Sequence, residues 1–160
     1  MALTVRKLKA FLELFVMLHP KGHVALVGDA PLLMHWDWVG DMIKVCGGSI
    51  ETLGVRAQGG DRTEEAEVLA GRKIAIESIV QCAGGWENII HCARMYRESF
   101  EKNWDMFTET CRKGGRGRLN EREVAKKYKV RTIDVARNFD KVLQDISTMV
   151  LIRAGRLRHT

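Results

Sequence analysis

The residues best able to do chemistry lie between Arg116 and Lys141, where cations recur among apolar positions at helical spacing. Within LNEREVAKKYKVRTIDVARNFDKVLQDI (residues 119–146), Asn120 and Glu123 stand at capping-box spacing and predict a short helix over 121–129. Val124 and Tyr128 form its apolar face, and Ala125 is small enough for a second helix to pass close by. Val130 is apolar at the turn, and Thr132 suits the N-cap of a second helix. Val135, Phe139, Val142 and Leu143 then face inward, followed by Ile146, Met149 and Val150. Two helices joined by about three residues, with a small residue in the first and an apolar plug at the turn, is the arithmetic of a helix-turn-helix. The competing reading is two helices of an ordinary bundle with a basic, solvated outer face.

Other chemistries find little support. Cys46, Cys82, Cys92 and Cys111 are far apart, with no C-x-x-C pair, so buried reduced thiols are expected rather than disulfides or zinc ligands. His91 and Cys92 are adjacent and would point in different directions on a helix; His19 and His23 are the other nearest approach to a ligand pair. There is no phosphate-binding loop, no G-x-S-x-G elbow and no H-E-x-x-H. Glu64, Glu65 and Glu67 cluster where a helix is expected to start, a placement that favours the helix dipole. The expectation is a chain that is not an enzyme and takes no metal or cofactor.

The elements that must position the basic segment read as all-α. The chain has 160 residues, 46% of them hydrophobic and 29% charged, which fits one soluble domain or a domain with a small appendage. No uncharged apolar run approaches the roughly 18 residues needed to cross a bilayer. Met1–Lys7 looks a little like the basic front of a signal peptide, but Lys9 and Glu13 interrupt its apolar core, so a cytoplasmic location and no membrane partner are expected. Both prolines, Pro20 and Pro31, fall early. Leu8, Phe11, Leu12, Phe15 and Leu18 predict a helix over 4–18, Pro31 opens one over 31–46, and five glycines make a loop of 47–61. Asp61 and Glu64 open a helix over 61–83 with Ala66, Leu69, Ala70, Ile74, Ile76 and Val80 on its faces. A long helix over 86–113 follows, carrying Ile89, Ile90, Ala93, Tyr96, Arg97, Phe100, Trp104 and Phe107 as an aromatic-rich stripe. Gly114-Gly115-Arg116-Gly117-Arg118 then reads as a flexible basic joint between an acidic helical body, residues 1–113, and a basic region, residues 114–160. Residues 1–110 hold 12 Lys and Arg against 15 Asp and Glu, net −3; residues 111–160 hold 14 against 5, net +9. A basic segment on an acidic body points to a partner with phosphates.

The run Val124-Ala125-Lys126-Lys127-Tyr128-Lys129-Val130-Arg131-Thr132 resembles the DNA-reading helix-turn-helix of region 4 in bacterial sigma factors, and Val135 and Leu143 fall on apolar positions of that pattern. It departs at Asn138, where that family usually has an aliphatic residue, and at Lys129, where many repressor-type motifs have glycine. Such a module behind an unrelated helical front resembles two phage-borne groups, the Q-type late-gene antiterminators and the ArpU-like regulators. The resemblance implies a sequence-specific DNA-binding transcription regulator, phage-encoded, acting on double-stranded DNA with bacterial RNA polymerase in antitermination or late-gene control. It implies that the second helix enters the major groove with Arg131, Thr132, Asp134, Arg137, Asn138 and Lys141 outward, where Arg can grip guanine with two hydrogen bonds, Asn can grip adenine, and Thr can meet a base edge or a thymine methyl. It also sets Arg116, Arg118, Lys126, Lys127 and Lys129 along phosphates, where each contact adds salt dependence rather than sequence choice. It makes the acidic body the partner-facing part, with Trp36 and Trp38 as contact candidates because Trp is enriched at interface hot spots; core packing is the other reading of both. The alternative function is a homo-oligomeric, DNA-gripping packaging protein such as a small terminase subunit.

Overall fold

Val135, Phe139, Val142, Leu143, Ile146, Val150 and Leu151 recur every one to four residues along one wide helical face, and each is buried in the folded chain. They belong to α6 (Thr132–Arg153), about 33 Å long at the standard rise. The computed structural model describes residues 3–18 and 65–156, and in them the chain is all-α with no strand. Before α6 come α1 (Val5–Leu18), α2 (Glu65–Cys82), α3 (Gly85–Ser99), α4 (Glu101–Arg112) and α5 (Arg118–Tyr128). None of these helices is long and apolar enough to cross a membrane. Trp36, Trp38, Cys46, His19, His23, Glu64 and the helix expected over 31–46 lie outside the described residues.

Thr4 opens α1 as a side-chain cap, its hydroxyl accepting the Lys7 amide at 3.2 Å. Leu8, Phe11, Leu12 and Phe15 then form the stripe that α1 lays on α6, and the Trp86 ring of α3 closes on Phe15 at 4.7 Å. Ile76 and Ile79 of α2, Ile89 and Tyr96 of α3, and Trp104 and Phe107 of α4 complete one core with Phe139, Val142, Leu143, Ile146, Val150 and Leu151 of α6. Burying each such side chain stabilises the fold by about 1.5–3 kcal/mol. Ser147, also buried on the α6 face, donates its hydroxyl to its own helix at Leu143 O, 2.7 Å. The α2–α3 corner is fixed by Asn88, whose amide donates to Ala83 O at 2.7 Å and Val150 O at 3.1 Å.

The single helix expected over 86–113 is two. At Phe100 the backbone leaves helical values (φ −131°, ψ 57°) and re-enters them at Glu101. The break redirects the chain. α3 runs antiparallel along the C-terminal half of α6, from the Asn88–Val150 bond onward. α4 then crosses the front of α6, where Asn103 O accepts the Asn138 amide at 3.0 Å, and continues towards α5. Phe100, at the break, is 49% exposed and leans on Tyr96 rather than entering the core, and Arg97 of the expected stripe is also exposed. Ile74 likewise points outward, at 52% exposure, while Ala75, Ile76 and Ile79 take the inner face of α2.

Residues on both sides of the Gly114–Arg118 joint share the one core, because α6 supplies its central face. A smaller cluster, Val124 and Ala125 of α5 with Val135 of α6, backed by Met106 and Tyr128, docks α5 onto α4 and α6. Phe139→Ala should therefore lower the unfolding free energy by about 3–5 kcal/mol. Helical circular dichroism and tryptophan fluorescence in urea should shift together; displaced separately, they would show that the basic end unfolds on its own.

Candidate nucleic-acid interface

The turn between α5 and α6 is three residues long and tightly closed. The Val130 amide donates to Ala125 O at 3.0 Å and the Lys129 amide to Lys126 O at 3.4 Å, the paired bonds of a Schellman motif. Lys129 is then in the left-handed region (φ 56°, ψ 45°). α4 and α6 end in the same pair of bonds, and there the left-handed residue is a glycine, Gly114 and Gly155. Lys129 thus occupies by conformation the place at which the sequence pattern asks for glycine.

Both helix starts differ from the capping expected of them. α5 begins at Arg118, after an extended Gly117, and Asn120 is already inside it. Its amide donates back to Gly115 O at 3.3 Å and so latches the joint, while Glu123 pairs with Lys113 of the joint at 3.3 Å. For α6 the N-cap is Arg131 rather than Thr132. Asp134, at the third helical position, accepts the Arg131 amide and its guanidinium, each at 3.1 Å. These hydrogen bonds, those from the guanidinium first and that from the amide second, hold the Asp134 carboxyl below the usual carboxylate range. Its folded value being depressed, the cap contributes stability above the unfolded value and loses it as pH falls through the folded one.

The candidate base-reading residues divide by what they touch. Arg131, Thr132, Arg137 and Lys141 are exposed. Arg131 is held by Asp134, and Lys141 stands 3.9 Å from Asp145, while Arg137 is in no ion pair among the described residues. Asn138 is half-buried where α4 crosses α6, its amide committed to Asn103 O. On the outer face the helix instead presents Ile133, Arg137 and Lys141 at successive i, i+4 positions. Ile133 was missing from the sequence reading, although its place outside the Val135–Phe139–Val142 stripe was the available signal.

The candidate phosphate contacts divide in the same way. Arg116 is clamped by Glu121 at 3.0 Å and by Asp140 at 3.5 Å, and Asp140 also meets Lys9 of α1 at 3.5 Å. Lys127 reaches the buried Glu109 of α4 at 3.1 Å, which Arg112 also approaches at 3.5 Å. Arg118, Lys126 and Lys129 are exposed and in no ion pair among the described residues, and so is Arg122, which the sequence reading passed over. Arg118, Arg122 and Lys126 stand at i, i+4, i+8, and Lys129 follows at the turn, making one outward row of cations. The row is about 16 Å long, roughly five base-pair rises at 3.4 Å.

Burial pushes the Cys92 thiol up and the Cys111 thiol up to about 12, so both stay protonated at neutral pH. Among the described residues no cluster of three or more His, Cys, Asp or Glu could hold a metal.

Lys129→Gly should change stability in urea by less than about 1 kcal/mol, since relief of the roughly 1–2 kcal/mol left-handed strain is offset by the chain entropy of glycine and by loss of a cation at the helix C-terminus. Asp134→Asn should abolish the share of the acid-side stability loss that belongs to the α6 cap, read from urea midpoints as pH is lowered. The chain matches no protein-family model, no curated protein and no solved structure.

Proposed function

We propose that the chain is a sequence-specific DNA-binding transcription regulator whose α5–α6 unit meets the duplex. The observation that carries this is the row Arg118, Arg122, Lys126 and Lys129, exposed and in no ion pair among the described residues, on a helix docked against α6. Acids take up the neighbouring cations Arg116, Lys113 and Lys127. Net charge around the row is therefore the excess left after internal pairing, which is what a phosphate backbone neutralises. The outward row of α6 supplies base-edge chemistry next to it, with Arg137 the candidate for a two-bond contact to guanine. The polymerase-linked role, antitermination or late-gene control of the phage type, carries over from the resemblance of residues 124–132 to sigma region 4.

Selection of duplexes from a random library by the full chain, at physiological salt, tests the reading. A recovered motif supports it; salt-sensitive binding with no motif favours the packaging alternative; no binding overturns both. On the recovered duplex, Arg137→Ala should lose about 1–3 kcal/mol of specific binding, and Arg131→Ala less, because Asp134 already holds its fork. The triple variant Arg118→Ala, Arg122→Ala, Lys126→Ala should weaken all duplexes alike and flatten the logarithmic salt slope by about three units. An unchanged slope would remove the α5 row from the interface.

A further inference from the structure

Ile133 has no role in the fold. It is 49% exposed and belongs to neither core cluster, though it sits on the helix that organises both. Local preference does not account for it either, because a β-branched residue at an exposed helical position is a weaker helix former than Ala, Lys or Glu. It is the second residue of α6, one turn before Arg137 in the outward row and flanked by the exposed Thr132. Asp134, the nearest acid in sequence, has its carboxylate neutralised by Arg131. An apolar side chain set among cations, beside a cationic α5, fits a polyanion that also presents an apolar group at reach. In the major groove of DNA that group is the C5 methyl of thymine.

Resting on the DNA-binding reading above, we propose that Ile133 is a specificity-determining residue, packing against a thymine methyl in the base pairs that α6 faces. The partner group then needs no hydrogen bond from α6 at that step. The choice of T over C comes from the methyl, and Arg137 reads a neighbouring pair.

The test uses the duplex recovered by the full chain and copies in which each thymidine in turn is replaced by deoxyuridine, which removes the methyl and leaves every hydrogen-bonding group. At one position, deoxyuridine should weaken binding of the unsubstituted protein about fourfold, the value of one buried methyl-sized group. Ile133→Ala should bind the thymidine duplex more weakly and show no further loss with deoxyuridine at that position. Sequence-specific binding that is indifferent to deoxyuridine at every position would overturn the role of Ile133 while leaving the DNA-binding reading intact. The same deoxyuridine loss in Ile133→Ala would overturn it too, assigning the methyl to another side chain. Failure to recover any motif overturns both. Because Ile133 is exposed and packs in neither cluster, the variant should keep its urea midpoint, and the deoxyuridine series on the unsubstituted protein stands even if it does not.

Discussion

Everything else in the described structure is arranged around one constraint: the face of α6 carrying Phe139, Val142, Leu143, Ile146, Val150 and Leu151 must be kept from water. α1, α3 and α4 pack on it directly, while Val124 and Ala125 dock α5 on Val135 nearer the start of the same helix. A helix that is buried along one side has its other side fixed in space. The row Ile133, Arg137, Lys141 is therefore set by core packing on the opposite face, without any loop having to hold it. Polar ties at both ends of α6 fix the helix along its axis. Asn138 bonds Asn103 near the front, and Asn88 bonds Val150 near the back, each joining a side-chain amide to a backbone carbonyl across two helices.

Charge follows a second, weaker logic laid over this one. Asp140, Glu121, Glu109 and Glu123 each meet cations from a different element, so the joint and α5 are stapled to α1, α4 and α6 by ion pairs. Most of these are at least partly exposed, and such pairs contribute little each, about 0–1 kcal/mol. Their larger effect is on position. Arg116, with its guanidinium held by Glu121 and Asp140, fixes the approach of the joint to α5.

The fold was largely legible because its signals were periodic. Leu8, Phe11, Leu12 and Phe15 of α1, Val135, Phe139, Val142, Leu143, Ile146 and Val150 of α6, and the small Ala125 at the α5 crossing all read directly from residue spacing, and all are buried, while Met149 of the α6 stripe is half-buried. What was not legible depends on contacts between segments distant in sequence. Ile89, Tyr96, Trp104 and Phe107 keep helical register straight through Phe100, so no local pattern shows that the chain must turn there for α4 to touch both α6 and α5. Asn120 and Thr132 have the right chemistry for caps, yet Gly115 O and the Asp134–Arg131 bond offered stronger competing partners. The same holds for the site. Asn138 is an outward residue by register only until α4 crosses over it, and Arg122 and Ile133 stand out only in the i, i+4 rows that pass through them, not in the pattern of the turn.

Helix electrostatics separates two halves of the α5 cation row. Lys126 lies in the last turn of α5 and Lys129 just past it, where positive charge meets the negative end of the helix dipole and stabilises by about 0.3–1 kcal/mol each. Their charge has a reason inside the protein, and it offsets part of the strain that Lys129 bears in the left-handed region. Arg118 lies at the opposite end, and Arg122, the fifth residue of the helix, stands one turn inside it. Arg118 is the first residue of the helix, where the dipole is positive and a cation is unfavourable by a similar amount, and no acid among the described residues pairs with it. Glu121, the acid in that first turn, is committed to Arg116. Folding therefore accounts for the basic end of α5 and not for its basic beginning. On the DNA-binding reading proposed above, a phosphate at Arg118 would turn that cost into binding energy, and a backbone running along the row would reach Arg122, Lys126 and Lys129 as well.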